Sequence, residues 1–137
     1  MKLNILLTNH RIHTLGGSEQ WVKTMYKSLT ELGHNVFVKT YNNEEIPLEY
    51  QKEDDRIFDL ALINHISPQE TNAKFKIYTS HGVIPTEELP KSGADVYVAV
   101  SEESMEYHKA SHVIRNPIDL SLFQYQRKVA EIPKTIL

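Results

Sequence analysis

The sequence has no cysteine, which removes disulfides and thiolate metal ligands from consideration and fits a cytoplasmic protein. It also lacks a basic excess. Fifteen Lys and Arg stand against 18 Asp and Glu, for a net charge of −3, whereas a nucleic-acid-binding domain needs a basic face to meet phosphates. No apolar run approaches the roughly 18 residues that a membrane-spanning helix requires. Residues 1–8, MKLNILLT, are too short for a signal-peptide core and no small-residue cleavage site follows them. Internal repeats and low-complexity tracts are absent. So are a Walker A loop, a GxSxG nucleophile elbow and the GxGxxG dinucleotide fingerprint.

What is present suits a globular chain: 137 residues, 40% hydrophobic and 24% charged, enough for one core. The negative charge is local. Residues 42–56 hold six acids and two bases, net −4, which leaves about +1 elsewhere and reads as a solvated loop. Leu3–Leu7 is a near-continuous apolar run, as in a strand covered on both faces. Gly16-Gly17-Ser18 opens a helix in which Trp21, Val22, Met25, Tyr26, Leu29 and Leu32 recur at helical spacing, and Gly33 is its stop signal. Asn35–Thr40 follows as a second strand. Strand, helix, strand in the first forty residues is a right-handed βαβ unit with parallel strands. Asp59–Ile63, Phe75–Thr79, Asp95–Val100 and His112–Ile114 read as further strands. Ser101 caps a short helix with Met105 turned inward. The fold class expected is α/β, a doubly wound, mostly parallel sheet with helices on both faces, occupying residues 1–123. Residues 124–137 read as a linker followed by the start of another strand.

Ligands of open α/β sheets bind beyond the carboxyl ends of the strands. The loops there carry His10, His13, Gly16, Gly17, Asn64, His65, His81, Gly82 and Ser101. His10, His13, His65 and His81 thus gather near one rim, with His108 joining them if the short helix turns it inward; imidazoles suit proton transfer or hydrogen bonding near neutral pH. Two glycines before a helix let a backbone with outward amides approach a phosphate or sugar oxygen, or else simply make a tight helix entrance. Glu19 either complements the helix dipole or accepts substrate hydroxyls. His10 and His13 form HxxH, but neither cysteine nor a spaced carboxylate completes a zinc set, so no metal is expected. Ser101 has no base to make it a nucleophile.

Taken in order, several short motifs resemble the N-terminal domain of group 1 (family four) glycosyltransferases with the GT-B fold. Gly16-Gly17-Ser18-Glu19 resembles that family's GGxE element and Leu32-Gly33-His34-Asn35-Val36 its LGHxV segment. Thr79-Ser80-His81-Gly82 is similar to its TxHG turn. Val98-Ala99-Val100-Ser101 looks like its strand and serine cap, and Val113–Asp119 with Phe123 like its VIxNGxDxxxF junction. Pro117 stands where the family has glycine, which stiffens that turn. The resemblance implies an enzyme moving a sugar, with retention, from a nucleotide-sugar donor to a sugar or lipid-linked acceptor, without metal or cofactor. It implies that Gly16 and Gly17 approach the donor diphosphate and that His81 lies beside the transferred sugar as the catalytic residue. Glu19, His10 and His65 would face the acceptor.

In that family a C-terminal domain grips the nucleotide, and it has no counterpart within these residues. The chain is therefore expected to need a missing partner domain and to be inactive alone. Peripheral membrane contact is compatible with a lipid acceptor, although no basic amphipathic helix is found. Two other readings stay open: a non-catalytic α/β binding module, and half of a sugar-nucleotide epimerase.

Overall fold

Ile5, Leu6 and Leu7 can bury on both faces of a strand, and they sit in an interior strand of the sheet. In the computed structural model, which describes residues 1–41, 43–82 and 92–122, they belong to β1 (Asn4–Thr8). The helix α1 (Gly17–Glu31) leads to β2 (Asn35–Lys39). Then come β3 (Phe58–Ile63), β4 (Ala73–Ser80), β5 (Val96–Ala99), α2 (Glu102–His108) and β6 (His112–Val113). The six strands pair in the order β2-β1-β3-β4-β5-β6, and every pairing is parallel. The chain winds outward to β2, returns past β1 to β3, and continues the other way. Its topological switch point is therefore the gap between the carboxyl ends of β1 and β3.

The two faces carry separate cores, as strand alternation requires. Ile5, Leu7, Val36 and Val38 meet Trp21 and Val22 of α1, with Ile12 and Ile46 closing the cluster. Leu6, Phe37, Phe58, Ala61, Ile63 and Tyr78 fill the opposite face. On that face Ser104 of α2 meets Ser80, which alternation places on the same side as Tyr78. Helices thus flank the sheet on both sides, with α2 supplying the crossover between the parallel strands β5 and β6.

Several expectations need adjustment. Leu32 lies outside the apolar stripe: it is the C-cap of α1 and 72% exposed. The helix closes one residue earlier, because the amide of His34 bonds the carbonyl of Leu29 at 3.1 Å and Gly33 turns at φ +90°, a left-handed turn suited to glycine. In α2 it is Ser104, not Met105, that is buried, and Met105 is half-buried. Ser101 caps that helix as expected, its Oγ accepting from the amide of Ser104 at 3.1 Å. The acidic stretch is only partly a free loop. Lys52 bridges Val38 in parallel, the amide of Val38 donates to the Gln51 carbonyl at 2.7 Å, and Ile46 is buried. It shields the edge of β2. Residue 123 and the 124–137 linker and strand start lie outside the described residues.

Candidate functional site

The strand register sets the site. Thr8 pairs with Ile63 and Ile63 with Tyr78, so the residues that follow β1, β3 and β4 emerge side by side. Asn9 and His10 come from the first, Asn64 and His65 from the second, and His81 from the third. The ends of β1 and β3 are locked together: the amide of Asn64 donates to Thr8 Oγ1 at 3.1 Å and Thr8 Oγ1 donates to the Asn64 carbonyl at 3.2 Å. The His10 and His65 rings meet edge to face with centroids 4.7 Å apart. The His65 and His81 rings stack at 6.1 Å, and Trp21 of α1 meets His81 edge-on at 5.8 Å. Trp21 of α1 and the imidazole row therefore pack together at the carboxyl edge of the sheet.

That cluster holds a concentration of unmet hydrogen bonding. Among the described residues, the buried side-chain polar atoms without a partner are Asn9 Oδ1, His10 Nδ1, both amide atoms of Asn64 and both ring nitrogens of His81. All belong to the three loops at the switch point and its neighbour strand. Buried polar groups in native proteins nearly always find partners, so such a cluster marks a place where something else supplies them. Asn9 and Asn64 are both fully buried. His65 takes the left-handed backbone region, with φ at +58°, which is uncommon for a residue with a side chain.

Burial fixes the protonation of the row. It is the main cause pushing the His81 imidazole down, to about 4, with His65 adding to the effect. Burial likewise lowers His10 and His65. At neutral pH all three rings are uncharged. Arg11 Nε donates to His10 Nε2 at 3.0 Å, which leaves the His10 proton on Nδ1.

Glu19 is spent on its own loop. Its carboxylate is buried and accepts from Thr14 Oγ1 at 2.6 Å, Ser18 Oγ at 3.1 Å and Arg11 Nε at 3.3 Å. Burial would raise its pKa, but the Thr14 hydroxyl, its own amide, Ser18 and the His10 neighbour outweigh that and hold it at about 2. This explains Gly16: a Cβ there would lie 2.8 Å from Glu19 Cδ, so only glycine lets the carboxylate fold back over the helix start. Nothing lies within 4 Å of a Cβ at Gly17. The first amides of α1 have no intrahelical acceptor, as at every helix start.

His81 is held by a turn that α2 anchors. The Gly82 carbonyl accepts from Ser80 Oγ at 3.3 Å and Ser104 Oγ at 3.1 Å, and contacts His108 Nε2 at 2.7 Å. A carbonyl only accepts, so His108 donates from Nε2. His108 therefore faces the back of the turn rather than the crevice row. Ser104, Asn9 and the depth of Asn64 were not singled out by spacing, because their importance comes from register between distant strands. His13 lies apart, paired with Glu45 at 3.4 Å. Among the described residues no group of three or more His, Asp or Glu is placed to hold a metal, and no helix is long and apolar enough to cross a membrane.

No protein-family model, curated protein or solved structure matches this chain.

Proposed function

We propose that this chain is the acceptor-side half of a sugar-transferring enzyme that uses a nucleotide-sugar donor with retention, its crevice being the switch-point cluster of Asn9, His10, Asn64, His65 and His81. The observation that carries this reading is the set of unpartnered buried polar atoms there, at the place where doubly wound sheets bind ligands. The ordered motifs from Gly16 to Asp119 support it.

In this reading His81 works as a neutral imidazole. Its lone pair can accept a hydroxyl proton or face the positive charge that develops at an anomeric carbon. Gly17 offers an open backbone approach to the donor diphosphate, beside Gly16. Glu19 holds the β1–α1 loop, and with it His10, against the acceptor space. The crevice has no uncommitted cation among its described residues, since Arg11 binds Glu19. The charge of the diphosphate therefore falls mainly to a second domain. A lipid-linked acceptor would bring the crevice to a membrane surface, and cytoplasmic donors would place the enzyme in that compartment.

One observation favours a second reading, a non-catalytic module for a neutral ligand: the Glu19 carboxylate already occupies the helix start where an anion would dock. A transfer assay separates the two. Residues 1–137 are incubated with a panel of UDP-, GDP- and ADP-sugars and glycoside acceptors, alone and joined to a matching C-terminal nucleotide-binding domain. The reading predicts no transfer alone, transfer by the joined chain, and loss of about 2–4 orders of magnitude in His81→Ala. Transfer that ignores His81, or none by any joined chain, contradicts it.

A further inference from the structure

The unpartnered atoms can be sorted by what each needs. Asn9 Nδ2 donates to the Arg11 carbonyl at 2.8 Å, so its amide cannot be turned round, and Oδ1 is a fixed acceptor without a donor. His10 Nδ1 is a donor, because Nε2 accepts from Arg11. Asn64 offers one donor and one acceptor whichever way its amide is turned. A neutral His81 offers one of each. The set is balanced, with three donors and three acceptors.

A balanced set has a chemical meaning. An ionised carboxylate or a phosphodiester presents acceptors alone, so it could satisfy the donors but would set its lone pairs against Asn9 Oδ1 and Asn64 Oδ1; inorganic phosphate adds hydroxyl donors but brings its charge. A hydroxyl both donates and accepts, and adjacent hydroxyls match alternating donors and acceptors. Charge points the same way: the Glu19 carboxylate lies 3.6 Å from His10 Nε2 and would repel an anion, while the neighbouring Arg11 is paired with it.

We infer that Asn9 and Asn64 are ligand-binding residues, and that with His10 and His81 they select an uncharged, hydroxyl-bearing ligand over an anionic one. This deepens the transferase reading by giving the charge class of the group held on the acceptor side, and rests on that reading for calling the group an acceptor. The atoms are closed to solvent, and beside them the His65 carbonyl accepts from Tyr41 Oη at 2.6 Å.

The test is an NMR titration of the whole 137-residue chain, following the side-chain amides of Asn9 and Asn64. The probes are glycerol, methyl α-glucoside and methyl α-mannoside, against inorganic phosphate and glucose 6-phosphate. At least one uncharged probe should shift both amides, with inorganic phosphate leaving them in place and glucose 6-phosphate binding more weakly than the parent glucoside. Asn64→Leu, nearly the same shape, should weaken the uncharged probe about tenfold or more. It should keep or raise the melting temperature, since it removes unpaired buried polar atoms. Asn64→Ser serves the same comparison should the leucine variant not fold.

Preference for phosphate, no shift with any uncharged probe, or undiminished binding by both variants overturns the inference. These results are independent of the transfer assay. Uncharged probes on these amides without any transfer would leave this inference standing and remove the transferase reading, and phosphate preference in a transferring enzyme would do the reverse.

Discussion

Single side chains in this crevice are held in states that titration can read. Glu19 stays ionised to about pH 2 in the folded chain against an ordinary 4.5. A depressed carboxylate contributes stability that is present above the ordinary value and is lost as pH falls through the folded one. Urea unfolding of the parent should thus weaken between about pH 4.5 and 2 through this residue, and Glu19→Gln should flatten that limb. The same variant should cost about 1–3 kcal/mol at neutral pH, because the hydroxyl donors and Arg11 lose a charged acceptor. His81 behaves differently. Its folded pKa of about 4 lies below the ordinary 6.5, so as pH drops from 6.5 the unfolded chain takes up the proton first. Stability should fall across that interval, and the His81 ring resonances should titrate near 4. A midpoint near 6.5 would show an imidazole open to water. Of these features, the sequence makes the residue types visible but not the states. Nothing in Gly16-Gly17-Ser18-Glu19 says that the carboxylate folds back on the first glycine, because that depends on Thr14 and Arg11 lying in a loop whose path is set by tertiary packing.

At the scale of elements, the two glycines before α1 make a sharp contrast. Gly16→Ala puts a Cβ 2.8 Å from Glu19 Cδ, so the carboxylate must move, and thermal unfolding should show a loss of about 1–2 kcal/mol. Gly17→Ala meets nothing within 4 Å and should be neutral or stabilising by up to about 1 kcal/mol through reduced freedom of the unfolded chain. Equal losses at both would mean the helix start is built differently. Strands and helices were legible because their signals are local: apolar runs for β1 and β3, a 3.6-residue stripe for α1, Gly33 for its end. Their limits shifted by one or two residues where hydrogen bonding to a neighbour decides, as in β4, which runs from Ala73 to Ser80 because β3 and β5 extend its pairing. Leu32 misled because its spacing continues the stripe after the backbone has already left the helix.

For the molecule as a whole, the parallel sheet and its winding follow from strands separated by crossovers, but the site does not. Asn9 and Asn64 are 55 positions apart in the chain and become neighbours only because β1 and β3 pair in one register. A slip of one strand against the other by one residue would turn one of the two side chains to the opposite face. The histidines were visible as a group, since each follows an apolar run. The asparagines were not, since a buried amide has no periodic signature. The account depends on this single crevice receiving the ligand. A map of backbone and side-chain NMR shifts, recorded as the chain is titrated with nucleotide-sugars and uncharged glycosides together, tests it most directly. The changes should gather on Asn9, Gly17, Asn64, His65 and His81. Changes gathered instead on the acidic cavity of about 470 Å³ lined by Lys39, Glu53, Asp54 and Glu70, or on the amino-terminal edge of the sheet, would contradict it.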